Sequence, residues 1–277
     1  MKRIVTVQDI SCIGKCSLTV ALPIISAMGV EAAVLPTAVL STHTAFKGFT
    51  FRDLTYDIKP IANHWKNENL HFDAVYTGYL GSFEQLKLVS EFIDDFSTDE
   101  NMIIIDPVMG DFGKLYPGFT QEFADKMAEL CGKADIIVPN MTEASFMLGI
   151  EYKESYNEAY VKDILKKLCE NGAKKAVLTG INYIEGQIGV MCYDSQTNTY
   201  STYFQDKVDA SYHGTGDIFA STLTGALVKG STFEDSLKIA VDYTVECIRA
   251  TKNDQNSHWY GVNFEEAIPY LVNRINK

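Results

Sequence analysis

The run Asp209-Ala-Ser-Tyr-His-Gly-Thr-Gly-Asp217-Ile-Phe-Ala-Ser-Thr222 sets two glycines around a threonine, follows them with an acid, and then begins an apolar helical pattern. Ile218, Phe219, Leu223, Ala226 and Leu227 supply that pattern. Gly214 and Gly216 carry no Cβ, so the turn can adopt positive φ and admit a close neighbour. A helix opened this way presents backbone N–H groups without intrahelical partners, together with a partial positive charge. An anion, most often a phosphate, suits that position. Asp217 then stands beside an anion site, placed to take a proton from an attacking hydroxyl. The same residues also read as an ordinary helix start whose acid offsets the dipole. The rest of the chain has to separate the two.

The chain has 277 residues, 46% of them apolar, which fits one large α/β domain or two small ones. A formal charge of −12 argues against nucleic acid, whose binding needs clustered Lys and Arg. It leaves room for ATP, which needs only a local positive site and a metal. No apolar run reaches membrane-spanning length. Met-Lys-Arg-Ile-Val-Thr-Val at the start is too short for a secretory signal and reads as a first strand. The cysteines at 12, 16, 131, 169, 192 and 247 show no CxxC pair and no metal-ligand spacing. Reduced thiols in a cytoplasmic protein are the expectation.

In order, the pattern predicts a strand over 3–9, a loop over 10–15, and a helix over 16–28 kinked by Pro23 and stopped by Gly29. A strand over 32–40, interrupted by Pro36, leads to an aperiodic segment over 41–53 that reads as a loop or small flap. Helices are predicted over 54–67, 83–96, 119–131, 142–148, 155–171, 233–250 and from 263. Strands are predicted over 72–77, 102–106, 135–138 and 174–179, with a hairpin of 187–193 and 199–204 across Asp194–Asn198. Strands alternating with helices, several of them wholly apolar, indicate a parallel sheet covered on both faces. With no linker composition and no repeat, 1–277 reads as one domain. In open α/β sheets the ligand lies beyond the C-terminal strand ends. Asp9, Gly78-Tyr79, Asp106, Asn140 and Thr179-Gly180 all fall there.

Two familiar phosphate loops are absent. Ile13-Gly14-Lys15-Cys16 lacks the leading glycine of a Walker loop and has Cys16 where a magnesium-binding hydroxyl belongs. Gly214-Thr-Gly216-Asp-Ile-Phe219 lacks the third glycine of a dinucleotide fingerprint. Asp106-Pro-Val-Met-Gly110 reads either as a capped turn or as a carboxylate near phosphates, acting directly or through Mg²⁺-bound water. Pro139-Asn140-Met-Thr-Glu143 reads either as an N-cap with an acid in the first turn or as a second such device. Polar strand ends combined with a glycine turn favour phosphoryl transfer, which needs mainly positioning and charge neutralisation.

Gly78-Tyr79-Leu80-Gly81-Ser82, Asp106-Pro-Val-Met-Gly110, Pro139-Asn140-x-x-Glu143 and Gly214-x-Gly216-Asp217 occur in the order and spacing of the ribokinase-like superfamily. Within it the chain resembles the pyridoxal kinase branch over nearly its whole length, from Val7-Gln8 through Gly230. The resemblance implies a three-layer α/β/α fold with a mostly parallel central sheet and a small flap at 41–53. It implies transfer of the ATP γ-phosphate to the 5′-hydroxymethyl of pyridoxal, pyridoxine or pyridoxamine. Asp217 would be the general base, and Gly214, Thr215 and Gly216 would stabilise the developing charge. Asp106, Asn140, Glu143, Thr179 and Gly180 would attend the nucleotide, with Asp106 and Glu143 toward Mg²⁺ through water. Asp9, His43, Thr44 and Tyr79 would contact the vitamer. A homodimer is a further implication.

The sequence departs from that branch in two places. Its first strand ends Gln8-Asp9 where the branch has Gln-Ser, and an acid there resembles the hydroxymethylpyrimidine kinases of thiamine synthesis. No basic residue follows Val177-Leu178-Thr179-Gly180, which shifts phosphate charge onto Mg²⁺ or a monovalent cation such as K⁺.

Overall fold

The N-terminal run forms β1 (Arg3–Ser11), buried almost throughout because neighbours cover both of its faces. α1 (Leu18–Ala27) continues through Pro23. Its N-cap Ser17 makes no capping hydrogen bond, and its hydroxyl bonds Asp9. β2 (Glu31–Leu40) also runs through Pro36, where the sequence predicts an interruption. Proline lacks an N–H, and the ladder absorbs the loss by shifting register. Gln8 pairs with Pro36 and Ile10 with Val39, so β2 carries one extra residue there. The segment expected as a loop or flap is a loop over 41–50 followed by β3 (Phe51–Asp53), an exposed edge strand antiparallel to β2. α2 (Thr55–Asn67) and β4 (Ala74–Thr77) follow near their expected positions.

α3 (Phe83–Phe96) matches its predicted span. Ser82 caps it by accepting from Gln85 N, and Leu86, Val89, Ile93 and Phe96 bury its inner stripe. β5 (Met102–Ile105) leads to a feature the sequence reading lacks, the hairpin of β6 (Gly110–Asp111) and β7 (Lys114–Leu115). Two-residue strands are too short to show a period of two. Their turn is made by Phe112 (φ 51) and Gly113 (φ 73), a left-handed pair that suits a tight hairpin. α4 (Gln121–Cys131), β8 (Ile136–Ile137), α5 (Met141–Met147) and α6 (Glu158–Glu170) come next. β9 (Lys175–Ile181), β10 (Gln187–Asp194) and β11 (Thr199–Asp206) follow, the last two as the predicted antiparallel hairpin. α7 (Thr215–Lys229), α8 (Phe233–Asn253) and α9 (Phe264–Ile275) close the chain.

This computed structural model describes residues 1–276. They form two units, residues 1–78 with 207–276, and residues 79–206. In the first, the strand order is β4-β1-β2-β3, with β4, β1 and β2 mutually parallel. In the second it is β11-β10-β9-β8-β5, with β9, β8 and β5 parallel and the hairpin antiparallel at the edge. Both are α/β and mostly parallel, as the sequence predicts. The helical side of the first unit is one apolar cluster joining Val20 and Ile24 of α1 and its C-cap Met28 to Ile218 and Ala226 of α7, Tyr243 and Cys247 of α8, and Leu271 of α9. That packing fixes where α7 begins, and α7 carries the glycine turn.

Candidate active site

In the first unit, Gly214 is the N-cap of α7 at φ 82, and no side chain caps the helix. A Cβ at Gly214 would stand 2.0 Å from the Lys15 carbonyl oxygen, so both the conformation and the space demand glycine. Gly216 differs. It lies inside α7 without positive φ, and nothing is within 4 Å of where its Cβ would be, so it keeps the turn open to an approaching group. Asp217 sits in the first turn of α7, partly buried. Thr215 donates its hydroxyl to the Tyr212 carbonyl at 3.5 Å.

Asp9, at the bulged end of β1, is 3% exposed. Burial pushes its carboxyl above the usual range, while hydroxyls from Ser17 and Ser11 oppose the rise. The Ser11 bond is 2.9 Å. Asp9 and Asp217 share a neighbourhood: desolvation first, then the charges of Asp217 and Asp9, push the Cys16 thiol upward. Folding thus brings a β1 carboxylate and an α7 carboxylate around one thiol across about two hundred residues of chain. The loop between β1 and α1 is bent sharply, with Lys15 at φ 52 and Ser17 at φ 53.

In the 41–50 loop, Thr44 is exposed and His43 is buried. Both nitrogens of His43 are engaged by backbone: Ala45 N donates to Nδ1 at 3.1 Å, and Nε2 meets the Tyr260 carbonyl at 3.0 Å. These partners specify the neutral ring with its proton on Nε2.

In the second unit, Asp106 directly follows β5 and is 5% exposed. Asn140 and Glu143 form a full capping box at the start of α5, so the ordinary reading of that motif holds. The box does more than cap. Glu143 Oε2 accepts from Asn140 N at 2.8 Å and Oε1 accepts from Met109 N at 3.1 Å. Asn140 Nδ2 donates to Gly110 O at 2.9 Å and to Asp111 Oδ1 at 3.2 Å. The pair therefore ties the Asp106–Gly110 loop and the β6–β7 hairpin to the α5 N-terminus. Burial, with the Asp111 charge adding to it, pushes the Glu143 carboxyl up to about 8 against those backbone bonds.

Asp111 is the residue the sequence reading missed. It is exposed, accepts from Tyr116 Oη at 2.7 Å, and faces Asn140. Its signal was the acid directly after Gly110, obscured because the hairpin that aims it was not foreseen. Thr179 bridges Asn140 in parallel and donates its N–H to the Pro139 carbonyl at 3.0 Å. Gly180 takes φ 67 on β9. Tyr79 is half-buried, its ring 5.7 Å from that of Phe119.

The Glu143 geometry yields a pH prediction. A carboxyl raised in the fold stabilises the native state below its unfolded pKa, and that contribution is lost as pH rises through the folded value. Between roughly pH 4 and about 8, thermal stability should fall with rising pH. Glu143→Gln cannot ionise and should flatten that slope, while weakening the protein at pH 5 through one lost backbone bond. Melting temperature against pH for both proteins checks this, and parallel slopes would count against it.

The sequence profile of the family described as Phosphomethylpyrimidine kinase matches residues 22–262. A Bacteroides thetaiotaomicron protein with a provisional phosphomethylpyrimidine kinase assignment, crystallised with pyridoxal, is 39% identical. It covers 98% of this chain and 95% of its own, with a TM-score of 0.92. Pyridoxal kinase from Lactobacillus plantarum is 29% identical over 99% of this chain and 97% of its own, at a TM-score of 0.89. Pyridoxine kinase from Bacillus subtilis is 27% identical over 187 residues, 66% of this chain and 66% of its own length.

Proposed function

The chain belongs to the phosphomethylpyrimidine kinase family, phosphotransferases with an alcohol acceptor, and on that premise we propose that it transfers the ATP γ-phosphoryl group to the 5′-hydroxymethyl of a B6 vitamer. The observation that carries this is the uncapped α7 N-terminus, opened by left-handed Gly214 with Asp217 in its first turn. A base and a set of preorganised N–H donors on one turn are what phosphoryl transfer to an alcohol requires. Asp217 takes the hydroxymethyl proton, the freed oxygen attacks the γ-phosphorus, and the β–γ bridging oxygen leaves with ADP. The turn's N–H groups meet the negative charge on the transferred group. Asp9, Thr44 and Tyr79 contact the aromatic acceptor, and Asp9 suits a ring N–H or amino donor.

Nucleotide-bound Mg²⁺ needs one or two carboxylates, its other ligands being phosphate oxygens and water. Asp106 and Asp111 would supply them. Glu143, whose two oxygens already accept backbone N–H groups, would reach the ion only through water. The ion would neutralise phosphate charge, which matters here because no basic residue stands at the end of β9; K⁺ or another monovalent cation would share that task. Asn140, Thr179 and Gly180 line the nucleotide side. We include in the proposal a single kinase domain working as a cytoplasmic homodimer; no helix among the described residues is long and apolar enough to cross a membrane.

A second reading, a hydroxymethylpyrimidine kinase, is favoured by Asp9 and by the matched family profile. ADP release with Mg·ATP, measured in parallel on pyridoxal, pyridoxamine, pyridoxine and hydroxymethylpyrimidine, separates them. Turnover on a B6 vitamer at the highest kcat/KM is expected. A preference for the pyrimidine over all three vitamers would install the second reading.

A further inference from the structure

His43 sits where three separate pieces of the first unit meet. Its own N–H donates to Ile13 O at 3.0 Å, and Phe46 N donates to its carbonyl at 3.1 Å. Its ring joins Ala45 of the flap to the Tyr260 carbonyl of the loop between α8 and α9. That loop, around Ser257-His-Trp-Tyr-Gly261, packs aromatic side chains on the flap: Phe46 lies 4.6 Å from Trp259 and 5.4 Å from Tyr260. A Cβ at Gly14 would meet His43 Cδ2 at 2.5 Å, so the imidazole rests directly on the bent loop that supports Gly214. Lys15 in that loop is held by Asn263 at 3.1 Å and Glu265 at 2.8 Å.

We propose that His43 is a positioning residue: a neutral imidazole that locks the flap to the 257–261 loop and holds the Gly14–Cys16 backbone beneath the Gly214 turn. Every hydrogen bond its ring makes goes to backbone of the protein itself. Protonation would place a second N–H on Nδ1, facing the Ala45 N–H, and replace an attraction with a repulsion. The charged groups around it are His213, before α7, with its ring 5.2 Å away, His258, stacked on Tyr260, and Lys15 beyond Gly14, which is paired with Glu265. A cationic His213 disfavours a second positive charge on His43. Burial, followed by the neighbouring His213, keeps His43 below the ordinary histidine range despite the Tyr260 bond. A depressed histidine contributes stability above its unfolded pKa that is lost as pH falls through the folded one. The lock therefore opens on the acid side.

That the flap serves the acceptor rests on the kinase reading; the lock itself is measured without substrate. Trp259 is 6.0 Å from His43 and one of two tryptophans. In a Trp65→Phe background, Trp259 emission should shift as pH falls below about 6.5, and His43→Gln should abolish that transition. A transition surviving in His43→Gln would overturn the lock. Kinetically, His43→Gln should raise the acceptor KM about tenfold while the ATP KM changes by less than about twofold. Combining it with Phe46→Ala, which breaks the same lock, should add little to either single effect. Fully additive effects on KM would mean that His43 touches the acceptor directly, and would also sink the proposal.

Discussion

Asp217→Asn should lower kcat by roughly 10²–10⁴-fold while leaving ATP affinity nearly intact. The substitution keeps the size and the first-turn position on α7 but removes the only proton acceptor that the glycine turn carries. Asparagine cannot take the hydroxyl proton, so the attacking oxygen stays weakly nucleophilic. Nucleotide binding depends on other groups in the proposal, which is why the ATP KM should hold. Steady-state kinetics on the best acceptor, with nucleotide binding followed separately, tests both halves. Near-normal turnover would remove Asp217 from the role of base. A matching loss of ATP affinity would show instead that the carboxylate mattered to the nucleotide side.

Gly214→Ala should be a severely damaging single-methyl change. At φ 82 an L-residue pays a conformational cost of about 1–2 kcal/mol. The added Cβ would also stand 2.0 Å from the Lys15 carbonyl oxygen, a backbone atom that cannot swing aside. Relief requires moving the Lys15–Cys16 loop or the start of α7, and either disturbs Asp9, Cys16 and Asp217 together. We expect a loss of about 2–4 kcal/mol of stability and at least a hundredfold loss of kcat/KM. Gly216→Ala, into open space within the same turn, is the control and should leave the melting temperature within a degree or two. Equal melting temperatures for the two variants would refute the steric argument.

Much of the architecture could be read from residues alone, and for a consistent reason. α3 emerged at its predicted bounds because its stripe repeats at helical spacing and Ser82 marks its start. The β10–β11 hairpin was legible because alternation and a polar turn are local signals. Strand ends and the glycine turn were visible as motifs, since acids, Asn and Gly at such junctions are short-range features.

Properties decided between distant segments were not visible. Pro36 sits inside β2 because the β1–β2 ladder shifts around it, and register belongs to two strands at once. The hairpin that turns Asp111 toward Asn140 depends on a left-handed Phe112-Gly113 pair, too short to leave a periodic trace. That Glu143 spends both oxygens on backbone, and that His43 is held neutral by partners at 45 and 260, depends on which N–H and C=O groups arrive beside them. The amino-acid order thus determined the elements, the α/β class and the chemistry-bearing residue types, all governed by local pattern. Tertiary structure alone decided register, tautomer, burial and the glycine that must be glycine, because each is set by a neighbour far away in the chain.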